Sequence, residues 1–485
     1  MLAILLGLLI VPGPLLNGAW DLWAQSILLL AALGGCAFWA CRRLVIGDVP
    51  LPSSRVLAWA AFLAAWAGMA AFLGPLRAYA LPAWNVWLAG LGVMLAVNVM
   101  PDHERRFADR ALRALAWALV LTAFYQYFVM GVPRPGASLL NQNVFAGAIL
   151  LLLPLAVEKR DWILGAGLLI CLAWTRSVGA WLGLAAALLI VKRRSPLWAG
   201  AGALMGLACL LLVYAKLDSP DMLHRWQWWR AAAAMAGSRP WFGFGPGTYA
   251  YVLPAYVQSS RPLATLFAHQ HILETAAQCG WPFALAWLAG LLRFLKSGPQ
   301  AKRIGAAALL VQSCWDYALS IPGVLWLFCY VAASCLPRSG RVWRVPQRWR
   351  LPACALVLAA AGLGAGAVWQ RWAAERLRVR AEAMARAEGP SDRALALLER
   401  SARRADHPET ARLSGQIEAA LARQTGAKER LLAAAADMES SAAQDPFRAS
   451  TWTQLAALYQ ELGRDDLARQ ARQRGAATCP GLGAP

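Results

Sequence analysis

Thirteen apolar runs dominate the chain, and most of them approach the length that crosses a lipid bilayer. The runs cover residues 2–16, 22–41, 56–74, 82–100, 111–131, 143–157, 162–175, 178–191, 196–215, 281–296, 304–320, 322–336 and 351–369. A helix of about 20 residues spans the hydrocarbon core, where each backbone polar group must find its partner within the segment. The sequence therefore predicts an all-α, polytopic transmembrane bundle of about 13 spans. The first run lacks the basic start and clear cleavage site of a signal peptide, so we expect a span there.

The charged residues support a membrane protein rather than a nucleic-acid-binding one. Only 15% of the chain is charged, and its formal net charge of +21 resides mostly in short loops and in the last quarter. Such basic residues are typical of topology signals and lipid-headgroup contacts. The ten cysteines include no C-x-x-C pair, so the sequence predicts packing roles rather than a zinc or redox site.

The distribution of Lys and Arg predicts the orientation of the chain. An N-terminus in the cytoplasm places every basic cluster on that side, as the positive-inside rule requires. The clusters are Arg42 and Arg43, Arg105 and Arg106, Lys159 and Arg160, Lys192 to Arg194, Lys302 and Arg303, and Arg338 to Arg350. With an odd number of spans, the long loop 216–280 and the C-terminal tail then lie together on the opposite side.

The C-terminal tail, residues 370–485, is predicted to form a second domain beside the transmembrane domain 1–369. Its period is helical, with a weaker helix pair at about 380–423 and a clearer one near the end. The clearer pair has the spacing of a tetratricopeptide repeat, at Trp452, Leu455, Ala456, Tyr459, Gly463, Ala468 and Pro480. Such units form small solenoids that contact proteins or ligands, and a cap packed on the membrane domain is the equal alternative.

The loop 216–280 carries the most distinctive residues of the chain. It reads HRWQWWRAAAAMAGSRPWFGFGPGTYAYVLPAY and then, after a polar stretch, FAHQHILETAAQCGWP. A connection of this length is either functional or disordered, and the many Trp, Tyr, Gly and Pro residues argue against disorder. The GFGPG segment lacks a preceding strand and a following Lys, so it does not indicate a nucleotide site.

Four motifs between about residues 135 and 330 resemble those of the O-antigen ligase and polymerase superfamily, in the same order. The upstream segments are GASLLNQNVFAGAILLLLP and TRSVGAW, and WDYALSIP follows the loop, with Asp316 and Pro322. The loop itself contributes Arg225, Trp229, Pro240, Gly243, Gly245, Pro246, Gly247, Ala268, His269, Leu273, Glu274 and Gly280. Distant members also carry C-terminal repeats. The resemblance implies a GT-C-like membrane glycosyltransferase.

The resemblance also implies a reaction and its partners. Members transfer a glycan from an undecaprenyl-diphosphate carrier to an acceptor hydroxyl, with inversion. The acceptor is a lipid A core sugar, the end of another glycan, or a Ser or Thr of a protein. Neither a cofactor nor a metal is expected, and nucleic acid is not a partner. The expected location is the bacterial inner membrane, with the active site and tail in the periplasm and a possible protein partner on the tail.

Candidate site residues follow from matching positions. His269 occupies the base position, and the pKa of histidine suits that role near neutrality. Arg225 matches the residue that contacts the diphosphate, whose charge a guanidinium stabilises through two parallel hydrogen bonds. The family's second arginine aligns with Val178, so either Arg176 replaces it from a neighbouring turn or the contact is lost. Gln270 replaces the Asn that usually follows the histidine.

Further candidates have weaker support. Arg230 is a possible substrate contact or an interfacial anchor among the neighbouring Trp residues. Asp316, near the end of a span, needs either a functional role or an arginine partner. Glu274 belongs to the predicted substrate-binding set. A scaffold role through helix packing is the alternative for Glu274, and it is also the expected role of Asn141 and Asn143.

Two other functions compete with glycan transfer. A transporter of a small anion or glycolipid predicts charges deep within the spans and an internal repeat, and the sequence displays neither. An assembly scaffold would use the spans as an anchor and the tail as its working part.

Overall fold

The computed structural model describes residues 2–139, 141–192, 195–215, 219–257 and 265–478, and over these ranges the fold is nearly all α. The strands within these ranges are β1 (Asp48–Pro50) and β2 (Val342–Arg344), which pair antiparallel with Val49 opposite Trp343. This short pairing joins two loops at one end of the bundle and was not predicted from the sequence.

Where it is described, the first half of the chain forms ten α-helices, which follow the first nine apolar runs. They are α1 (Leu2–Ile10), α2 (Pro12–Leu15), α3 (Leu22–Ile46), α4 (Ser54–Leu73), α5 (Arg77–Val99), α6 (Asp102–Phe128), α7 (Gln142–Glu158), α8 (Trp162–Thr175), α9 (Val178–Val191) and α10 (Pro196–Tyr214). The basic residues Arg193 and Arg194, used for the predicted orientation, lie outside the described residues.

The second half contains the remaining helices. They are α11 (Pro220–Ser238), α12 (Tyr249–Val252), α13 (His271–Cys279), α14 (Trp281–Phe294), α15 (Gln300–Gln312), α16 (Pro322–Ala333), α17 (Gln347–Glu388), α18 (Asp392–Ala402), α19 (Pro408–Thr425), α20 (Lys428–Gln444), α21 (Ala449–Glu461) and α22 (Asp465–Thr478). The segment 216–280, expected as a loop, is therefore largely helical where it is described. The Ala-rich centre of α11 favours a helix, and the Gln270 side chain caps α13 by accepting from the Leu273 N–H.

Six helices of the described chain are long and apolar enough to cross a membrane: α3, α4, α5, α6, α10 and α17. Several of the remaining apolar runs form shorter apolar helices, of 10 to 17 residues. The chain is thus a multi-pass membrane protein by the length and composition of its helices, whereas the count of about 13 spans and the orientation stay predictions.

Burial separates inner from outer helices. Every residue of α16 is buried, as is the stretch of α7 from Val144 to Ala156. In contrast, α10 and α17 expose large apolar side chains, among them Leu204 at 72% and Leu363 at 78%. A helix that is apolar on all sides belongs in a core or in lipid. We infer that α7 and α16 form the core of the bundle and that α10 and α17 face the acyl chains.

Lys302, one of the basic residues used for topology, has a structural partner. Its Nζ lies 2.8 Å from Oδ1 of Asp109, and the hydroxyl of Tyr330 donates to the same oxygen at 2.9 Å. Lys302 is only 5% exposed. Because a buried charge needs a partner, this lysine pairs within the protein rather than with lipid headgroups.

Helix α17 connects the bundle to the tail without a break. Its 42 residues correspond to roughly 60 Å. It runs antiparallel to α3. The Arg350 guanidinium, near the start of α17, donates to the carbonyl of Val45, near the end of α3. The proposed domain boundary at residue 370 falls inside this helix. The end of the bundle from which α17 emerges is called the tail end below.

The tail packs as helices α18–α22 on the tail end of the bundle. One cluster buries Trp452, Leu455, Ala456, Tyr459 and Ala468 between α19 and α22. Pro480 lies outside the described residues, and the tetratricopeptide class stays a prediction. On the bundle, the ring of Phe244 meets Phe447 with centroids 5.9 Å apart, and the Tyr79 hydroxyl donates to Asp445 at 3.3 Å.

Candidate active site

Several helix ends surround a cavity of about 270 Å³ at the tail end of the bundle. The start of α7, the junction between α8 and α9, the end of α10 and the start of α11 form most of its wall. Three arginines, Arg134, Arg176 and Arg225, line it together with Asp316. We call it the arginine cavity. Among the described residues of its wall, three guanidinium groups stand against one carboxyl group, and this net positive charge favours an anionic ligand.

Arg176 reaches the cavity through a tight connection between two helices. Helix α8 ends at Thr175, and Arg176 adopts a left-handed conformation with φ of 53° before α9 starts at Val178. The carbonyl of Thr175 accepts from the Arg134 guanidinium at 3.1 Å and 3.3 Å, which satisfies a helix-end acceptor. Arg176 and Val178 both line the arginine cavity. Arg176 therefore stands close to the position of the aligned but missing arginine.

His269 is held between aromatic rings in the connection before α13. Its ring stacks on Trp228 with centroids 4.9 Å apart and meets Tyr317 edge-on at 4.7 Å. The backbone φ of His269 is 56°, and its carbonyl accepts from the Trp229 indole at 3.4 Å. A left-handed conformation is uncommon for a residue other than glycine, and such conformations cluster at functional sites.

The imidazole of His269 faces the carboxyl group of Asp316. Nδ1 lies 3.9 Å from Oδ1 and makes no hydrogen bond to the described residues. Burial lowers the pKa of His269 to about 3, and the positive charge of Arg225 acts in the same direction. The ring is therefore neutral near pH 7. Asp316 lines the arginine cavity, whereas His269, its neighbour, is not among the described residues of the cavity wall.

Glu274 supports the His269 connection from the other side. It is 4% exposed, and its two carboxyl oxygens accept from the Ala268 N–H at 2.8 Å and from the Ser320 hydroxyl at 2.7 Å. Burial raises the pKa of Glu274 to about 7. The carboxyl group thus ties the segment before His269 to the segment after Asp316. It lies outside the wall of the arginine cavity, which favours a positioning role.

The glycine-rich segment packs against the end of α13. The N–H groups of Phe244 and Gly245 donate to the carbonyls of Ala277 and Gln278 at 3.1 Å and 2.7 Å. Gly243 has a φ of 60°, and a Cβ atom there would lie 2.5 Å from the Ala277 carbonyl. A bulkier residue would not fit, so the motif joins α11 to α13 and is explained without a nucleotide.

Other candidates from the sequence are placed less centrally. Arg230 is exposed and is not among the residues that line the arginine cavity. The Asn141 side chain caps α7 by accepting from the N–H groups of Asn143 and Val144, which matches its expected scaffold role. Asn143 itself lines the arginine cavity.

Arg134 was missed as a site residue by the sequence reasoning. A lone arginine near a predicted helix end gives little signal, because its approach to Thr175 depends on how α7 and α8 pack. Within the described residues, the His, Cys, Asp and Glu side chains form no group of three or more able to hold a metal ion. Independence from metal stays a prediction.

Residues 163–288 match the protein-family model described as O-antigen ligase. Among curated proteins, no match is found. The matched range includes Arg176, Arg225, His269 and Glu274, and it supports the resemblance to the O-antigen ligase superfamily. With the apolar helices, it indicates a membrane protein of glycosyltransferase type that takes part in polysaccharide biosynthesis.

Proposed function

We propose that this protein transfers a glycan from an undecaprenyl-diphosphate carrier to an acceptor hydroxyl, at the extracytoplasmic face of the bacterial inner membrane. The observation that carries the proposal is the convergence of Arg134, Arg176 and Arg225 on one cavity whose wall includes Asp316, the neighbour of His269. The family match and the apolar helices support the class of reaction. The acceptor is a glycan, a lipid A core sugar or a protein hydroxyl.

The arginine cavity suits the leaving group. Cleavage of the bond between the anomeric carbon and the phosphate oxygen leaves negative charge on undecaprenyl diphosphate. Fixed guanidinium groups stabilise such charge in the transition state, and the loss of one comparable donor in other enzymes costs about 10²–10³-fold in rate. The half-buried Arg225 and the exposed Arg176 and Arg134 face one volume from three different elements. Together they bind both phosphates of the carrier.

His269 removes the proton from the acceptor. The acceptor oxygen attacks the anomeric carbon, the carbon–phosphate-oxygen bond breaks with inversion, and the hydroxyl proton passes to Nε2 of His269. Nδ1 then carries its own proton toward Asp316, which orients the ring and stabilises the imidazolium. The 3.9 Å separation of Nδ1 and Oδ1 exceeds a hydrogen bond. Catalytic contacts of this kind often tighten when substrate binds.

The donor itself raises the basicity of His269. Arg225 lowers the pKa of the imidazole in the free protein. A diphosphate bound to Arg225 offsets that positive charge, so the pKa of His269 rises in the complex. The base is consequently activated when the donor is in place, which limits unproductive protonation before binding.

The proposal is tested by transfer from a purified undecaprenyl-diphosphate oligosaccharide with EDTA present. We expect the wild type to release carrier diphosphate and glycan-modified product, and His269→Ala to lose about 10²–10⁴-fold in rate. Membrane insertion and the thermal midpoint of the variant serve as controls for folding. Full activity of His269→Ala would overturn the assignment of the base, and inhibition by EDTA would overturn metal independence.

A further inference from the structure

A second cavity, of about 290 Å³, lies between the bundle and the tail. The start of α3, the first turns of α5, helix α13 and the 319–325 segment form its bundle wall, and His407 of the tail also lines it. Its aromatic residues include Trp20, Trp87 and Phe267. We call it the tail cavity. It shares no lining residue with the arginine cavity.

His271 lines the tail cavity, and one nitrogen of its buried ring has no hydrogen-bond partner among the described residues. The ring is 3% exposed, and its Nε2 accepts from the Trp287 indole at 3.1 Å. Burial lowers the pKa of His271 to about 4, so the ring is neutral and Nδ1 must carry the proton. Within the described chain, Nδ1 has no acceptor. A buried donor without a partner destabilises the protein, and a ligand oxygen that reached Nδ1 would remove that cost.

The remaining chemistry of the cavity favours an uncharged, hydroxyl-rich ligand. Gln25, Thr275 and Gln278 add neutral polar groups beside the aromatic faces, and none of the described residues that line the cavity is Lys or Arg. Both carboxyl oxygens of Glu274 already accept hydrogen bonds. A few polar groups among aromatic side chains are typical of sites that orient a small organic ligand. A sugar ring, with apolar faces and a polar edge, fits this wall better than a diphosphate does.

A pair of stacked rings separates the tail cavity from the catalytic histidine. Phe267 lines the tail cavity and stacks on Tyr317 with centroids 4.5 Å apart. Tyr317 in turn meets His269 edge-on at 4.7 Å. A glycan seated in the tail cavity is thus two rings away from the proposed base.

The tail completes this cavity through a set of polar and aromatic contacts. The His407 ring meets Tyr79 edge-on with centroids 4.9 Å apart, and Tyr79 stacks on Tyr251 at 3.7 Å. The Tyr79 hydroxyl lies 3.3 Å from Asp445 and 3.5 Å from Glu409. His407 immediately precedes α19 and caps it, because its Nδ1 accepts from the Glu409 N–H at 3.2 Å. The same residue therefore caps a tail helix and lines the cavity.

We propose that the tail cavity binds a sugar residue of the acceptor glycan, with the tail as one of its walls. This inference rests on the proposed glycan transfer, and it assigns the acceptor to one cavity and the carrier diphosphate to the other. The acceptor extends from the tail cavity past Phe267 and Tyr317, and its reactive hydroxyl meets His269.

Direct binding separates this inference from the proposed reaction. The full-length protein in detergent is titrated with methyl glucoside, methyl galactoside and methyl N-acetylglucosaminide, followed by saturation-transfer NMR. We expect at least one glycoside to bind. Ala78→Trp, which fills the tail cavity, should abolish the signal, and Gln25→Ala and His407→Asn should each weaken binding about 2–10-fold, as the loss of one hydrogen bond or contact does. Asn retains the cap of α19.

Arg225→Gln is the matched control. It should leave glycoside binding unchanged and weaken the binding of inorganic pyrophosphate, whereas Ala78→Trp should leave pyrophosphate binding unchanged. Failure of pyrophosphate to bind the wild type would count against the proposed function alone. Equal glycoside signals from wild type and Ala78→Trp, or no signal from wild type, would overturn the tail cavity as a sugar site.

Kinetics then distinguish the acceptor from the donor glycan. In a transfer assay, Gln25→Ala should raise the KM for the acceptor about 2–10-fold and leave the KM for the donor unchanged. The reverse pattern would overturn the assignment to the acceptor, because the cavity would then hold the glycan of the donor.

Discussion

Nδ1 of His269 lies 3.9 Å from Oδ1 of Asp316, although α13, α14 and α15 separate the two residues in the chain. This distance is too long for a hydrogen bond between the two side chains. The Trp228 ring covers one face of the imidazole. The pair is therefore assembled by packing, with the carboxyl group on the cavity side.

If the two residues act as a unit, their substitutions should not be additive. We expect Asp316→Asn to lower kcat about 10–100-fold by misorienting the imidazole, and His269→Ala to lower it about 10²–10⁴-fold. The double variant should be no slower than His269→Ala, because the orienting group has nothing left to orient. Single-turnover transfer measures this. Independent, multiplicative losses would show that Asp316 acts on substrate directly.

The charge of Arg225 should be visible in the titration of His269. Burial and Arg225 lower the pKa of the imidazole to about 3, so the ring takes up its proton only at strongly acidic pH. Arg225→Gln removes the second cause, and the pKa should rise toward 6.5. Nitrogen-15 NMR of labelled histidine in detergent measures this shift. Arg77→Gln, an exposed arginine outside both cavities, is the control, and an identical titration in Arg225→Gln would contradict the electrostatic coupling.

Glu274 should tolerate an amide better than truncation. In Glu274→Gln, the side-chain oxygen can still accept from the Ala268 N–H, and the amide can donate to the Ser320 hydroxyl. We expect kcat within about threefold of wild type for Gln and a loss of about 10–100-fold for Ala, because an unsatisfied buried N–H destabilises the His269 connection. A severe loss with Gln would indicate that the carboxyl group itself takes part in the chemistry.

The same carboxyl group should make stability depend on pH. Its pKa is raised from 4.5 to about 7, so the folded state holds this proton more tightly than the unfolded state does. Stability from this group is present below pH 4.5 and is lost as pH rises through 7. The difference in apparent Tm between Glu274→Gln and wild type should therefore grow in favour of Gln from pH 5 to pH 8. A difference that does not change with pH would contradict the raised pKa.

Gly280 should resist replacement for steric reasons. Its φ is 82°, and a Cβ atom would lie 1.9 Å from the carbonyl oxygen of Trp241. Gly280→Ala should lower the apparent Tm markedly, because both the left-handed conformation and the contact oppose a side chain, at about 1–3 kcal/mol for the conformation alone. Gly237→Ala, in α11 with open space around it, is the matched control and should be neutral or stabilising. A stable Gly280→Ala variant would contradict the packing of α11 against α13.

The sequence was informative about the class of fold and about the motifs of the site. Apolar runs predicted where helices lie because a helix in lipid must satisfy its own backbone, a requirement that acts within each segment. It was less informative about segment 216–280, where the Ala-rich stretch of α11 forms a helix in what was expected to be a loop. The sequence reasoning also did not identify Arg134 as a site residue, and it did not predict that α17 continues through residue 370.

Local sequence therefore determined the helices, the cap of α7 by Asn141, and the candidacy of His269 and Arg225. The tertiary structure decided which of the candidates meet. It brought Arg176 and Arg225 to one cavity with Asp316, assigned Glu274 to the support of the His269 connection, and left Arg230 exposed. It also created the tail cavity by docking His407 against the bundle. Helix formation depends on neighbours along the chain, whereas a cavity depends on the packing of helices that the sequence separates widely.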